Sequence, residues 1–378
     1  MNPDRVKTIE ISVAEVTPKT SWIFVELETA SGLRGAGEAT LVGRESEVVA
    51  AARRLAPVVL DLDDALPDLL PKDYPLAGLP DAAAFSAIDQ ALWDITAQRR
   101  GLRLADALGG ARRDTIPLYA NINRRTLDRS PEGFAQSARD AIAAGYEAIK
   151  IAPFDEVTPE IGAGGILEKV VPGLIRIESV RSAIGLERKL MVDCHWRLNE
   201  AAAEAVIAAV AASGLYWIEC PLPESVENLP ALRRLRRLAN RDGMRLAGCE
   251  QNIRQQGFAP FLQAEVYDVM MPDVKYVGGL MEMLDLSKAM AATGVEFSPH
   301  NPSGPISHAA SLHVAAVAEN FTMLECQFDE TPWFSKLRGT PRSSPVQGDT
   351  SLPSAPGLGA VLDRQALDQC RRIRWHAP

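Results

Sequence analysis

Three acidic residues at regular intervals are the groups in this sequence best placed to do chemistry. Asp193, Glu219 and Glu250 each end a short apolar run, and one helix-sized segment separates each from the next. That interval is the repeat length of a βα unit, so in a parallel barrel all three side chains would converge on one face. Any one of them could be a solvated turn residue, but three in succession favour a metal site. Oxygen ligands favour a single Mg²⁺ ion over zinc, with Mn²⁺ as a substitute.

Two histidines stand next to acids in the same pattern. His195 follows Asp193 by two residues, and the alternation of side chains along a strand would point both the same way. Asp273 and His300 end successive predicted strands, where the carboxylate could fix the tautomer of the imidazole and raise its basicity. A lone histidine at a strand end is more often structural, yet two of the five histidines lie at such ends. We therefore predict that His300 is a general base oriented by Asp273, with His195 as a second proton carrier.

Five further residues extend this ring of polar groups. Lys150 in the second predicted strand and Glu325 in the eighth would add an ammonium and a carboxylate at strand ends. Asn123 and Arg124 follow the first predicted strand, and Arg197 lies just beyond the third. These last three residues are candidate substrate ligands, since the guanidinium of either arginine can bind a carboxylate through two parallel hydrogen bonds.

Alternating strands and helices, which begin at about residue 116, would hold these residues in place. The helical segments between strands include residues 200–212, 279–292 and 306–319. Eight strands joined by helical crossovers are the order of a closed parallel barrel, so the predicted fold class is α/β. The predicted strands are residues 116–123, 148–153, 189–195, 216–221, 244–250, 268–273, 296–301 and 321–327.

The first part of the chain has a different pattern. Period-two alternation in residues 22–29, followed by a Ser-Gly turn, indicates antiparallel strands. Asp81 is expected to cap a helix whose apolar residues recur every three or four positions. We predict an α+β domain over residues 1–115, the barrel with the active site over residues 116–340, and a C-terminal segment over residues 341–378 that returns to the first domain.

Composition and charge exclude several classes of function. The net charge of −9 and the lack of a basic stripe argue against a nucleic-acid partner. No apolar run approaches bilayer-spanning length, so no membrane association is expected. The N-terminus also lacks a signal-peptide pattern, which predicts a cytoplasmic protein. The five cysteines have no CxxC spacing, which argues against both a disulfide framework and a zinc knuckle.

Short motifs make the chain similar to the enolase superfamily and, within it, to the mandelate racemase branch. Residues 35–38 resemble the N-terminal sheet of that branch, residues 86–94 its signature helix, and residues 108–110 its entry to the barrel. Residues 271–279 and 298–301 resemble the strand ends that carry its Asp–His dyad. The resemblance implies a modified TIM barrel of the (β/α)7β type with an α+β capping domain. It also implies that the three acids bind Mg²⁺ and that the dyad abstracts a proton α to a carboxylate.

Two departures from the branch pattern narrow the implied reaction. Racemases of this branch carry Lys-x-Lys on the second strand. Here the position two residues after Lys150 holds Ala152, so the second base is missing. Many members have Asp-x-Asn at the first metal ligand, whereas this chain has Asp193-Cys-His195. Asp-x-His resembles the galactonate, gluconate and mannonate dehydratases, in which the histidine is an acid. The resemblance therefore implies a hydro-lyase that converts an aldonate-type sugar acid to a 2-keto-3-deoxy acid. The expected partner is this small molecule, and the expected assembly is a homo-oligomer.

The predicted groups can be assigned to steps of such an elimination. His300 would remove the α-proton, Lys150 would stabilise the developing charge, and His195 would protonate the departing β-hydroxyl. Glu325 would either hydrogen-bond the carboxylate side of the substrate or form a structural salt link. Two alternatives stay open. One is epimerisation or lactone cycloisomerisation of a sugar acid with His300 as the base, and the other is a barrel that binds metal or acid without catalysis.

Several other features of the sequence lead to further predictions. Residues 17–22 and 41–45 are expected to close over the barrel mouth and to set substrate specificity. The glycine-rich residues 162–165 lack the continuation of a phosphate-binding loop and are interpreted as a flexible loop near the mouth. Lys275 would face the same way as Asp273 and would either lie inside the barrel or pair with an acid.

Overall fold

A four-stranded antiparallel sheet and a nine-stranded, mainly parallel sheet organise the protein. The computed structural model describes residues 4–158, 165–338 and 345–377. Most of the predicted loop at 162–165 and the predicted domain boundary at 340/341 lie outside these residues. None of the helices within the described ranges is both long enough and apolar enough to cross a membrane.

The N-terminal sheet packs one face against two long helices. Its alternating apolar residues, such as Ile9, Ile11, Ile23 and Val25, are buried against these helices, as period-two patterning requires. The elements of this region are β1 (Val6–Thr17), β2 (Thr20–Thr29), β3 (Arg34–Glu38), α1 (Glu45–Leu60), a short 3-10 turn (Pro67–Leu69), α2 (Leu79–Arg99) and α3 (Leu104–Ala107).

Close contact between β3 and α2 explains the Gly-Ala-Gly-Glu motif. A Cβ atom at Gly35 or Gly37 would collide with the backbone carbonyl of Ala91 or Ala87 on α2. Glycine at these two positions therefore lets the strand lie directly on the helix. The strand ends at Glu38, whose carboxylate contacts the barrel at Gly304 and Ser307.

The barrel follows as a regular alternation of strands and helices, and all the predicted strand segments contain a strand. Its elements are β4 (Thr115–Asn121), α4 (Pro131–Ala143), β5 (Ala148–Ile151), α5 (Ile166–Ile184), β6 (Lys189–Asp193), α6 (Glu200–Ala209), β7 (Trp217–Glu219), α7 (Leu229–Arg241), β8 (Arg245–Gly248), α8 (Arg254–Gln263), β9 (Val269–Met270), α9 (Leu280–Ala292), β10 (Glu296–Phe297), α10 (Pro305–Val317) and β11 (Leu324–Gln327). Further 3-10 turns lie at Ala211–Ser213 and Val226–Asn228.

Parallel pairing runs from β10 through β4 to β11 and confirms the predicted α/β barrel class. The first and last strands pair at Leu118 and Leu324, and an isolated parallel bridge between Phe297 and Phe321 joins β10 to the segment before β11. Inside the ring, the side chains of Tyr119, Met191, Trp217, Ala247 and Val269 form a buried apolar layer. This packed interior supports the polar groups that stand at the strand ends.

The strands end earlier than the sequence pattern predicts. β8 stops at Gly248 and β9 at Met270, so Glu250 and Asp273 stand on the loops that follow. Cys249 has φ 66°, which lies in the left-handed region and outside the range of a regular β-strand. The predicted strands therefore extended too far at their carboxyl ends. A backbone corner that changes the direction of a side chain does not alter the alternation of apolar residues in the sequence.

The C-terminal segment contacts both parts of the protein. After α11 (Trp333–Arg338), β12 (Asp349–Ser351) pairs antiparallel with β4 of the barrel. α12 (Arg364–Leu367) then precedes β13 (Arg371–His376), which pairs antiparallel with β1. These contacts agree with a segment that returns to the first domain, while the division at residues 115/116 and 340/341 stays a prediction.

Polar contacts from α2 hold the loop that carries Asp273. Ser86 Oγ accepts a hydrogen bond from the Gly278 amide at 3.0 Å, and the Asp89 carboxylate accepts one from the Leu280 amide at 2.7 Å. Gln90 Nε2 donates to the carbonyl of Val274, the residue after Asp273, at 3.1 Å. The Asp89 carboxylate therefore satisfies one of the free amides in the first turn of α9. The capping region therefore helps to place the dyad loop.

Candidate active site

The carboxyl ends of the barrel strands enclose a polar cavity of about 280 Å³. Leu41 and Val42 form part of its wall, so the predicted segment 41–45 lies at the mouth. Trp22, from the predicted segment 17–22, lines a neighbouring cavity instead. Predicted site residues that line the main cavity are Asn123, Arg124, Lys150, Asp193, His195, Glu250 and His300.

Two of the three predicted metal ligands form a compact group. Asp193 and Glu219 end β6 and β7 in register, and an oxygen of each lies within 4.8 Å of the other and of Cys220 Sγ. Lys150 Nζ lies 2.7 Å from Glu219 Oε1, and Trp217 Nε1 donates to Glu219 Oε2 at 2.9 Å. Burial raises the pKa of the Cys220 thiol well above its usual range, so this sulfur stays protonated and is a poor ligand for a hard cation.

Glu250 stands apart from that group and points toward a histidine. Its Oε2 lies 3.5 Å from His300 Nε2 and, within the described residues, has no hydrogen-bond partner. Burial raises the pKa of Glu250 well above its usual range, and the charges of Asp193 and Glu219 raise it further. A buried oxygen without a partner, on which the charges of two other carboxylates act, is an environment that a divalent cation would stabilise. The acidic cluster therefore fits a metal ion with oxygen ligands.

Lys150 is the centre of a buried ion-pair network. Its Nζ lies 3.1 Å from Glu325 Oε1, in addition to its contact with Glu219. Glu325 also accepts hydrogen bonds from Asn121 Nδ2 at 2.7 Å and from the Asn301 amide at 2.8 Å. Burial lowers the pKa of Lys150, but the surrounding carboxylates outweigh it and hold that pKa well above its usual range. Lys150 is therefore a fixed cation, and these contacts favour the structural salt link for Glu325.

Asp273 holds two basic groups on one carboxylate oxygen. His300 Nδ1 lies 2.8 Å from Asp273 Oδ2, and Lys275 Nζ lies 2.5 Å from the same atom. The other oxygen accepts the Lys275 amide at 2.8 Å. Burial raises the pKa of Asp273, but Lys275 and His300 more than offset it, so the pKa lies below its usual range. With Nδ1 held by an ionised acid, His300 presents Nε2 to the cavity.

His195 contacts Asp193 through a turn rather than through strand alternation. β6 ends at Asp193, and His195 and Trp196 have φ angles of 48° and 57°. The His195 amide donates to Asp193 Oδ1 at 2.8 Å, while its Nε2 lies 2.8 Å from Asp193 Oδ2. Burial raises the pKa of Asp193, but His195 and Lys150 outweigh it, and the pKa is lowered overall. The His195 side chain is 37% exposed, so the imidazole is open to the cavity.

The three candidate substrate ligands are partly engaged with the protein itself. Arg124 Nη1 lies 3.3 Å from both carboxylate oxygens of Glu330. Arg197 Nη1 donates to the carbonyl of Phe154 at 2.8 Å and lies beside a smaller cavity of about 80 Å³. Asn123 lines both cavities. Their roles toward a substrate stay predictions.

Residues that hold the reactive groups were missed in the sequence. Asn121 and Asn301 fix Glu325, and Glu38 accepts the amides of Gly304 at 2.7 Å and Ser307 at 2.9 Å at the start of α10. Asparagine at a strand end is common without any function, so Asn121 and Asn301 carried little signal. Glu38 lies in a motif that the sequence does contain, but its partners are more than 260 residues away.

Comparisons with known proteins agree with this architecture. The family described as Mandelate racemase / muconate lactonizing enzyme, N-terminal domain, matches residues 2–109, and Enolase C-terminal domain-like matches residues 133–366. A D-gluconate dehydratase from Thermoproteus tenax is 30% identical over 92% of this chain and 69% of its own length. A D-galactonate dehydratase from Xanthomonas oryzae pv. oryzae is 30% identical over 96% of this chain and 94% of its own. The crystal structure of an enolase protein from the Sargasso Sea environmental genome superposes with a TM-score of 0.83 at 28% identity, covering 99% of each chain.

These matches extend over both the capping region and the barrel. The dehydratase from Xanthomonas aligns over nearly its full length and over nearly all of this chain. The chain therefore belongs to the mandelate racemase and muconate lactonizing enzyme family of the enolase superfamily.

Proposed function

We propose that this protein is a hydro-lyase that dehydrates an aldonate-type sugar acid to a 2-keto-3-deoxy acid with the help of Mg²⁺. The observation that carries the proposal is the placement of two imidazoles on one cavity, with His300 held by Asp273 and His195 held by Asp193. An elimination needs one group to remove the α-proton and another to protonate the departing hydroxyl. The names of the two dehydratase relatives support sugar acids as the substrate class.

Positive charge beside the cavity would stabilise the negative charge that develops on the substrate carboxylate. Asp193, Glu219 and Glu250 would hold Mg²⁺, which when bound acts as a Lewis acid toward a carboxylate. Lys150, whose Nζ is held between Glu219 and Glu325, adds a second positive charge beside the cavity. The α-proton of a sugar acid is very weakly acidic, so its removal depends on stabilising charge on the substrate carboxylate.

The side chains of the protein carry the two proton transfers. His300 removes the α-proton through Nε2, because Nδ1 is committed to Asp273. The electron pair left at the α-carbon then expels the β-hydroxyl, and His195 protonates that oxygen as the C–O bond breaks, so water leaves. The enol that forms takes up a proton at C3, releases the proton of its C2 hydroxyl and becomes the 2-keto-3-deoxy acid.

Size and polarity of the cavity agree with a small polyhydroxy acid. The volume of about 280 Å³ is near the lower end of the usual range for ligand pockets. Its wall is mostly polar, with amide groups from Asn121 and Gln327 near the charged residues, while Leu41 and Val42 contribute to the apolar part. Such a surface can hydrogen-bond several hydroxyl groups at once. Association of this chain into a homo-oligomer stays a prediction.

A screen of sugar acids with Mg²⁺ tests the proposal. Each acid is incubated with the protein, and 2-keto acid is detected with semicarbazide. We expect keto product from one or a few aldonates. A product without a keto group would instead indicate epimerisation or cycloisomerisation, and binding of acids without any turnover would indicate a non-catalytic barrel.

Two histidine variants then test the assigned roles. His300→Asn should abolish both dehydration and exchange of the substrate α-proton in D₂O, because both begin with removal of that proton. His195→Asn should suppress dehydration more strongly than exchange, with a loss of about 10²–10⁴-fold typical for a general acid. Equal loss of exchange in the two variants would contradict the roles. Exchange is followed by NMR of the recovered acid.

A further inference from the structure

Glu224 is a partly buried acid that contacts loops at three barrel strands. Its Oε1 accepts hydrogen bonds from the Cys249 amide at 2.6 Å and from the Tyr267 hydroxyl at 2.9 Å, and Cys220 Sγ lies 3.9 Å from the same oxygen. Glu224 itself follows β7, so one side chain joins the loops after β7 and β8. The Trp196 amide donates to the Cys220 carbonyl at 2.7 Å and links the loop after β6 to this pair.

Each of these loops contains a corner, a residue in the left-handed backbone conformation, within three residues of a proposed metal ligand. Trp196, Cys220 and Cys249 have φ angles of 57°, 46° and 66°. A residue other than glycine in this region costs on the order of 1–3 kcal/mol and persists only where its surroundings hold it in place. The Glu224 carboxylate contacts the corners at Cys249 and Cys220 directly, and the Cys220 carbonyl accepts the Trp196 amide, so Glu224 can help to hold all three corners.

The neighbouring backbone leaves room for this carboxylate. A Cβ atom at Gly248 would collide with Glu224 Oε1 and with the ring of Tyr267. Gly248 is the last residue of β8, directly before the corner at Cys249. Glycine at this position is therefore required by the approach of Glu224 and not by a positive φ angle.

We propose that Glu224 is a positioning residue for the metal site, an inference that rests on the proposed Mg²⁺ dependence. It acts on Glu250 through the Cys249 amide and on Glu219 through the adjacent Cys220. The loop that begins at Asp193 is linked to Glu224 indirectly, because the Trp196 amide donates to the Cys220 carbonyl at 2.7 Å. Without this carboxylate the corners at Cys220 and Cys249 would lose their shared partner, and the three acids would converge less closely.

Binding of Mn²⁺ to metal-free protein, without substrate, measures this effect directly. Free Mn²⁺ is followed by electron paramagnetic resonance during a titration. Glu224→Ala is expected to raise the Kd for Mn²⁺ by about 10–100-fold, as loss of groups that orient metal ligands does elsewhere. The matched control is Glu227→Ala, which removes an exposed acid three residues along the same loop and should leave Kd unchanged.

Glu224→Gln provides a milder variant. Its amide oxygen can still accept from Cys249 and Tyr267, but its NH₂ group cannot accept hydrogen bonds as the second carboxylate oxygen can, so its Kd should lie between those of the wild type and Glu224→Ala. Should the alanine variant fail to fold, a wild-type Kd in Glu224→Gln would overturn the inference. A wild-type Kd in folded Glu224→Ala, or an equal rise in Glu227→Ala, would also overturn it. Failure of the wild-type protein to bind Mn²⁺ would overturn the metal site itself, and this inference with it.

Discussion

Removing Lys275 tests how much its ion pair with Asp273 contributes to the free energy of unfolding. Lys275 is 1% exposed and Asp273 fully buried, with Nζ 2.5 Å from Oδ2. At an effective dielectric constant of about 20, charges at this separation attract by about 7 kcal/mol, which the cost of desolvating both groups largely offsets. Loss of one partner from a buried pair typically costs about 3–5 kcal/mol, because the other charge is left buried. His300 still contacts Asp273, so we expect Lys275→Met to lower the free energy of unfolding by about 3 kcal/mol.

Urea unfolding of a double-mutant cycle measures this coupling. Lys275→Met, Asp273→Asn and the double variant are compared with the wild type, and the double variant should be more stable than the sum of single effects predicts, by about 1–3 kcal/mol. Lys288→Met is the control, since its 2.8 Å pair with Asp285 is 71% exposed on the lysine side and should contribute less than about 1 kcal/mol. Single effects that add within about 0.5 kcal/mol, or a Lys275→Met variant as stable as the control, would refute the reasoning.

Three other predictions follow from the same structure. Glu219→Gln removes the charge of a proposed metal ligand and should strongly weaken Mn²⁺ binding in the same titration, while full activity of EDTA-treated wild-type protein would contradict a metal requirement. Burial raises the pKa of Asp94 from 3.8 to about 6, so its contribution to stability is complete below pH 3.8 and is lost as the pH rises through about 6. This amounts to about 3 kcal/mol, and Asp94→Asn should remove it from the pH dependence of urea unfolding; an unchanged pH profile would contradict the assignment. With Ala152 where racemases hold a second base, one enantiomer of a mandelate-like 2-hydroxy acid should keep its optical rotation with Mg²⁺, and rapid racemisation would reveal another base.

Sequence alone determined the fold class and the set of reactive residue types. The interval between Asp193, Glu219 and Glu250 matches one βα repeat, and a closed parallel barrel brings such strand ends to one face whatever their exact contacts. The same argument placed Asp273 and His300 on neighbouring strands, and the structure puts them 2.8 Å apart. Periodicity carries this information because a regular repeat fixes which ends of the strands meet.

The exact strand ends were beyond the sequence pattern. His195 meets Asp193 through a left-handed turn and not through the pleat, and Glu250 stands beyond the corner at Cys249. A positive φ angle at a residue other than glycine is maintained by contacts with distant parts of the chain, so local sequence propensity does not predict it.

Tertiary structure alone decided which groups share a partner. Lys275 joins His300 on one oxygen of Asp273, although its sequence position equally allowed a place in the barrel interior. Glu224 has the sequence signature of an ordinary loop acid, and only the approach of three loops gives it its contacts. Periodicity specifies the face on which a side chain lies, whereas hydrogen bonds at 2.5–3 Å depend on how separate loops pack together, which is settled only when the barrel closes.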